Sequence, residues 1–433
     1  MSVFAKAPAS RSVRAVVTGI AMVGVSALLL TGCSGTSETA EPAATTASTA
    51  GGEAAAIASG DRDLTLKIGT ILPQSGGLAF LGPPEEAGVQ LAVNDINAAG
   101  LGLTVEAIFR DSGDTTTDTA TVSVTDLLSQ DVSAIVGAAS SGVSKTVIDQ
   151  ITGAGVVQFS PANTSEDFTD YADNGLYWRT APSDKLQGAE LGTLIANDGN
   201  ATLGLIVLND AYGTGLAAST TAAFEAAGGE VVAESLFNEG DSNFAAQISE
   251  VTAANPDAIA LITFDQAKVI VPALVGEGYP GDSLYFVDGN LADYSPDFET
   301  GLITGSKGTL PGLDVSTLGD FTDRLLEVDP TLTNYSYAAE SYDAVMLIAL
   351  AAFAGNDVSG ESIASYLRQV SGGTGDGTKV EDFASAAAAL TAGDQVDYDG
   401  FSGPVTFDEN GDPTEATIGV YEFNDDNTYS RIN

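Results

Sequence analysis

The 433-residue chain contains no histidine and one cysteine, Cys33. Without imidazole there is no Ser-His or Cys-His relay, no histidine metal ligand and no side chain that titrates near neutrality unless perturbed. A single thiol excludes any disulfide within the chain. Cations are scarce too: 15 lysines and arginines stand against 59 aspartates and glutamates, a formal charge of −44. So acidic a surface repels phosphate backbones and anionic headgroups, which excludes nucleic acid as a partner and reads first as solubility. What the chain does hold is 44% apolar residues over a length that supports two or so cores.

Residues 1–32 begin with Lys6, Arg11 and Arg14 and no acid. An apolar stretch runs from Ala15 to Leu30, interrupted by Thr18, Gly19, Gly24 and Ser26. Small residues, Thr31-Gly32, precede Cys33. This is the order of a secretory signal, short and weakly apolar for a permanent span. Leu30-Thr31-Gly32-Cys33 also resembles the bacterial lipobox, which implies cleavage before Cys33 and lipidation of its thiol; the plainer alternative is a secretory signal with a chance cysteine. A diacylglyceryl group supplies two chains, enough for stable anchoring at the extracytoplasmic face of the cell membrane. Residues 33–62, rich in Ser, Thr, Ala, Gly and Glu, read as a flexible tether.

Residues 134–164 are the stretch around which the rest of the chain is organised. Ala134–Val136 is a short buried run ending in the small residues Gly137 to Gly142. Val143, Val147, Ile148 and Ile151 then share one face of a helix, Val156–Phe159 is a second buried run, and Ser160 to Thr164 come after it. Strand, helix, strand with a hydroxyl-bearing loop after each strand places both loops at the carboxyl edge of an open α/β sheet, where ligands bind. Free N–H groups at the helix start and nearby hydroxyls favour an anion. The Gly137-to-Gly142 spacing suggests a phosphate loop, but there the lysine follows the second glycine directly. Here Val143 and Ser144 intervene before Lys145, so nucleotide binding is rejected.

From Leu64 onward strands and helices alternate, with helices expected over 85–99, 184–197, 214–227, 243–254 and 267–277. Repeated βα units imply parallel sheets covered on both faces. Later come helices over 337–353, 362–369 and 380–390, then two strands, 401–407 and 417–423, expected to form a hairpin around Asp408–Asp412. That turn is not a calcium loop: its glycine is fourth, and Pro413 occupies the sixth place. Asp111, Asp114 and Asp118 read as caps and turns rather than a metal site, and Asp210 as the cap of the helix after Tyr212.

In chain order, Ile68–Pro73, Ser75-Gly76, Asn94–Asn97, Val136–Ser141, Phe159–Thr164, Trp178–Pro182, Asp210–Gly213 and Tyr342–Ala344 resemble the type I periplasmic binding proteins of ABC transporters, specifically the leucine/isoleucine/valine-binding family. The resemblance covers the chain from about Leu64 to its end. It implies an α/β fold of two doubly wound lobes with parallel sheets, joined by a three-segment hinge over a ligand cleft. Residues 63–182 plus 311–405 would form one lobe and 183–310 plus 406–433 the other, with crossings near Pro182, Gly308–Pro311 and Gly403–Gly411. It implies that Ser141 holds a ligand carboxylate, that Thr164 shares carboxylate and ammonium, and that the Ala162 carbonyl takes the ammonium. Ala139, Ser140 and Asn163 would lie beside them. From the second lobe, Tyr212 and Asp288 would enter the cleft, Asp288 neutralising the ammonium where the family commonly has glutamate. Phe80 or Leu81 would form a wall. The chain departs from the family at Thr263-Phe264-Asp265-Gln266, which replaces a Gly- and Tyr-rich segment; Phe264 and Asp265 would then join the site, and the extra acid would admit a polar or basic ligand.

Hydroxyl and amide donors, one carboxylate and apolar walls suit a zwitterion. The function so implied is that of an ABC-importer substrate-binding lipoprotein. It would capture a small zwitterionic solute such as a branched-chain or related amino acid for a membrane permease, with no catalysis, cofactor or metal, and touch the membrane only through its anchor. A ligand-sensing lipoprotein reporting to a receptor would share the pocket and differ in partner. An importer component for a neutral or polar solute, such as an amide or sugar, would differ in ligand. A secreted hydrolase using paired carboxylates is disfavoured by the missing histidine and the lack of an acid-pair motif. Replacing Cys33 with alanine tests the anchor: cell fractionation should move the protein from membrane to soluble fraction, and an unchanged membrane fraction would refute lipidation.

Overall fold

The computed structural model describes residues 54–375 and 377–433; the signal segment, Cys33 and residues 33–53 of the expected tether lie outside the described residues. Short runs rich in Val, Ile and Leu are buried almost continuously, as strands covered on both faces must be. β1 (Leu64–Leu72), β2 (Leu103–Asp111), β3 (Ala134–Gly137), β4 (Val157–Ser160) and β5 (Tyr177–Arg179) form an all-parallel sheet in the order β2-β1-β3-β4-β5. β6 (Thr202–Leu208), β7 (Glu230–Phe237), β8 (Ala258–Ile262), β9 (Leu284–Val287) and β10 (Lys307–Pro311) are the parallel part of a second sheet. β11 (Thr378–Val380), β12 (Val396–Gly400) and β13 (Gly403–Pro404) make a small third sheet. β14 (Ile418–Phe423) and β15 (Tyr429–Arg431) extend the second sheet antiparallel, giving the order β15-β14-β10-β9-β8-β6-β7. This is a two-lobed, doubly wound α/β architecture.

Helices cover both sheets: α1 (Gly82–Ala99), α2 (Thr119–Ser129) and α3 (Ser141–Thr152) early, then α4 (Asp184–Asn197), α5 (Ala211–Ala226), α6 (Ala245–Ala253) and α7 (Ala267–Gly276). α8 (Gly319–Val328), α9 (Ala338–Gly355), α10 (Gly360–Val370) and α11 (Phe383–Ala392) return to the first sheet. α9 is long and apolar enough to cross a bilayer but is buried on nearly every side in the first lobe's core. It lies so close to α1 that a Cβ on Gly88 would stand 2.2 Å from the Ala338 carbonyl oxygen. That approach requires glycine at position 88.

Several local expectations shift. α1 starts at Gly82 rather than Glu85, because Pro83 and Pro84 fit a first helical turn, where no amide donor is needed and φ is already right. The helix expected over 380–390 begins only at Phe383, where the Asp382 side chain accepts from Ser385 N, and Thr378–Val380 pairs as a strand. The expected hairpin does not form. The turn at Asp408–Asp412 is real, closed by a bridge between Phe407 and Pro413, but its flanks leave for different sheets. The apolar alternation there reflects Phe407 packing edge-on against Trp178 and Phe159, not pairing with residues 417–423. Nor are residues 54–62 a free tether: Ala58 N donates to Ala354 O, and the Arg62 guanidinium bonds Phe353 O and lies 4.6 Å over the Phe353 ring.

The chain passes between the two large sheets three times: across 180–183, between β10 and α8, and between β13 and β14. The first and third passages are tied by one buried ion pair. Arg179, fully buried at the end of β5, donates from Nε to Asp412 Oδ1 at 2.6 Å and from Nη2 to Oδ2 at 2.9 Å. Removing one partner of a buried pair typically costs about 3–5 kcal/mol. Arg179→Met should therefore lower the stability read from chemical denaturation by roughly that amount. Arg179→Met with Asp412→Leu should recover part of it, and an unchanged midpoint in the single variant would refute the tie.

Candidate functional site

The carboxyl ends of β3 and β4 are cross-tied before they meet the second lobe. Ser140 caps α3, its Oγ accepting from Val143 N at 3.2 Å. Ser160 Oγ donates to Ala138 O at 2.8 Å and accepts from Asn163 N at 2.9 Å. Asn163 donates to the Ala138 and Ala139 carbonyls at 3.0 and 2.8 Å and accepts from Tyr177 OH. Arg179 Nη1 donates to Asn163 O and Ser165 O, bracketing Thr164. Ser141, the first residue of α3, accepts Ser165 N at 3.3 Å, so its hydroxyl proton remains free to point into the cleft.

The second lobe answers with a carboxylate. Asp288 follows β9 and is buried. Its Oδ1 accepts from Tyr212 OH at 2.6 Å and Gln187 Nε2 at 2.9 Å, and its Oδ2 accepts from Tyr337 OH at 2.8 Å. Tyr337 stands immediately before α9 with φ +60, a left-handed backbone unusual for a side chain of its size. The Tyr337–Asp288 bond therefore spans the cleft. Tyr212 stacks on Phe264 with centroids 5.6 Å apart.

Around these groups closes a cavity lined by Ala139, Ser140, Ser141 and Ala162 on one side and Tyr212, Phe264, Asp288 and Gly289 on the other. Leu78, Leu81 and Tyr337 complete it. Its free volume is about 20 Å³, room for little more than one water. Beside it opens a wider recess of about 850 Å³, which takes in Phe80 and Asp265. Thr164 and Asn163 line neither space. Asn163 is occupied by the loop ties above; Thr164 O accepts from Asp184 N at 2.7 Å, and its buried hydroxyl lies by the Asp184 carboxyl.

Reading the sequence missed Leu78, Gly289 and Tyr337, and behind them Asp184 and Gln187. Asp184 and Gln187 stand three apart in the first turn of the helix after Pro182, so they share a face, and that spacing was visible. Nothing local marked Tyr337, because its direction follows from a left-handed residue at the helix start. Burial pushes both Asp184 and Asp288 up, and the Asp288 charge raises Asp184 further. The three donors on Asp288 favour its charged form and offset part of that rise.

The sequence matches the family model described as periplasmic binding protein over residues 65–428. A chemotactic signal transduction system substrate-binding protein of Halobacterium salinarum is 27% identical over 351 residues, 78% of this chain and 82% of that protein. Among solved structures, a branched-chain amino acid transporter substrate binding protein from Streptococcus pneumoniae, in complex with isoleucine, matches with a TM-score of 0.68 at 24% identity, covering 85% of this chain and 99% of its own. A solute binding protein of an ABC transporter from R. palustris, in complex with benzoate, matches with a TM-score of 0.67 at 19% identity over 85% and 95%. At these identities the structural likeness speaks to the fold.

The buried acids give stability a definite pH dependence. Burial pushes Glu340 up to about 8 and, against hydrogen bonds from Ser402, Tyr398 and Phe401 N, Asp343 up to about 6. An acid raised on folding contributes most below its unfolded pKa and loses that contribution as pH climbs to its folded value. Asp257, Asp329 and Asp426, held low by hydrogen bonds, have finished titrating by pH 5 and do not oppose this. The thermal midpoint should fall between pH 5 and pH 8. A midpoint that is flat or rising over that window in calorimetry would show these carboxyls to be charged in the fold.

Proposed function

The chain belongs to the periplasmic binding protein family, and on that premise we propose that it is the solute-capture component of an ABC importer, taking a small zwitterion such as a branched-chain or related amino acid into the cleft between its lobes. What carries this reading is the opposition of charge across one small cavity. One wall offers the Ser141 hydroxyl at the start of α3 with the adjoining helix amides; the other offers the Asp288 carboxylate. A carboxylate belongs against the first and an ammonium against the second, with the Ala162 carbonyl as a further acceptor. Leu78, Leu81, Tyr212 and Phe264 supply apolar surface for the rest of the solute.

With about 20 Å³ free, solute enters only when the lobes part. Its charged ends then bridge the two walls, and the hinge closes on it. Lipidation at Cys33 would hold the closed form near its permease. The chemotaxis relative favours a second reading, in which the same closed form docks on a receptor instead. Stimulation of ATP hydrolysis by a reconstituted permease separates the two.

Hydrogen bonds to charged groups contribute on the order of 1.5–3 kcal/mol each. Asp288→Asn should weaken amino-acid binding roughly 10- to 100-fold in calorimetry, and Ser141→Ala should cost less. If Asp288→Asn loses thermal stability but keeps its affinity, Asp288 is a structural group. If only an uncharged solute binds, the zwitterion assignment fails.

A further inference from the structure

The cleft does not end at its small cavity. The wide recess beside it shares two residues with that cavity, Gly289 and Tyr337. A chain growing from a solute head held between Ser141 and Asp288 therefore runs past the Tyr337 ring into the recess. One helical turn beyond Tyr337, on the same side of the helix, Glu340 lines that recess. It is 4% exposed, and its Oε2 is buried with no hydrogen-bond partner among the described residues. Its Oε1 lies so near the passage after β10 that a Cβ on Gly312 would stand 2.4 Å away. Left uncompensated, a buried carboxyl is costly, and a ligand group that satisfies it is correspondingly well rewarded.

The surroundings favour a cation. Asp265 and Asp297 line the recess together with Glu340. The cations there already have partners: Lys268 pairs with Asp297 at 3.1 Å, and Arg431 donates to Gly312 O and Asn433 Oδ1. Behind Glu340, Glu85 of α1 is buried with both carboxyl oxygens unpartnered among the described residues; burial pushes it well up, and charge on Glu86 or Glu340 raises it further. A positive group arriving at Glu340 partners the orphaned oxygen and offsets the charge Glu340 takes on beside Glu85.

We propose that the solute carries a second, cationic group on an extended side chain and that Glu340 receives it, which makes the ligand class a basic α-amino acid such as lysine, ornithine or arginine. This rests on the head-group reading given above. Binding then moves a proton. Burial, with Asp343 adding to it, pushes Glu340 up to about 8, so at pH 7 its carboxyl is mostly protonated. An ammonium or guanidinium that keeps its own protons displaces the carboxyl proton to the buffer, leaving carboxylate and cation paired.

Calorimetry on the full-length protein at pH 7, in two buffers of different protonation enthalpy, tests this with lysine, arginine, leucine and methionine. Lysine or arginine should bind at least roughly tenfold tighter than leucine and release up to one proton, which leucine should not. Glu340→Gln should remove that preference and the proton release while leaving leucine binding within about twofold. Asp265→Asn, at a more exposed position where folding is not at risk, should weaken lysine binding to a smaller degree. Leucine or methionine binding as tightly as lysine and arginine would overturn the inference and leave the head-group reading standing. No binding by any of the four would overturn the head-group reading and this inference with it.

Discussion

Arg179 and Asp412 are the fixed point of this molecule. A guanidinium with no exposure needs every donor placed, and here they go to Asp412, to the carbonyls of Asn163 and Ser165 and to the Thr169 hydroxyl. One side chain thereby joins the end of a first-lobe strand, the loop behind the cleft and the turn that carries the chain back between lobes. The desolvation of such a pair is expensive, and replacing it with apolar residues is often tolerated by a fold. What it supplies here is geometry: the carbonyls on either side of Thr164 point one way, Ser165 N meets Ser141, and the Ser141 proton is left for the cleft.

The cleft works by the same economy of donors and acceptors. Asp288 has three donors at hand, from α4, from α5 and from the residue before α9 in the opposite lobe. They favour its charged form in a buried position and leave Oδ2 with one site to offer. Apolar contact assists closure. Leu78, Leu81, Ala139 and Ala162, carried on first-lobe loops, belong to the apolar cluster of the second lobe. A closure of the lobes would thus remove apolar area from water, in an approach the walls already favour.

Much of this was legible in order along the chain. The alternation of buried runs and helices announced two parallel sheets, and the residues at the ends of β3 and β4 marked one wall of the cleft. Capping was legible as well: Asp210 accepts from Gly213 N, as its place before a helix indicated. Phe264 and Asp265, where the chain departs from the family pattern, line the cavity and the recess respectively. Periodicity failed in the segments that pass between lobes. Residues 401–407 alternate like a strand, yet only Gly403–Pro404 pair as one, with β12, while Phe407 packs on Trp178 and Phe159.

The sequence by itself determined what depends on neighbours in the chain: strand burial, helix faces, helix caps, and the exclusion of histidine and disulfide chemistry. Only the tertiary structure decided which distant groups meet. Arg179 finds Asp412 across 233 positions, Gln187 finds Asp288 across 101, and Tyr337 finds Asp288 across 49. Glu340 reads as an ordinary acid in the first turn of a helix, a place the helix dipole favours. That one of its oxygens is buried without a partner among the described residues, beside a wide recess, is set by how α1, α9 and the passage after β10 pack. The reason is physical: propensity and periodicity act over a few residues, whereas desolvation and charge pairing depend on what the folded chain brings within a few ångströms.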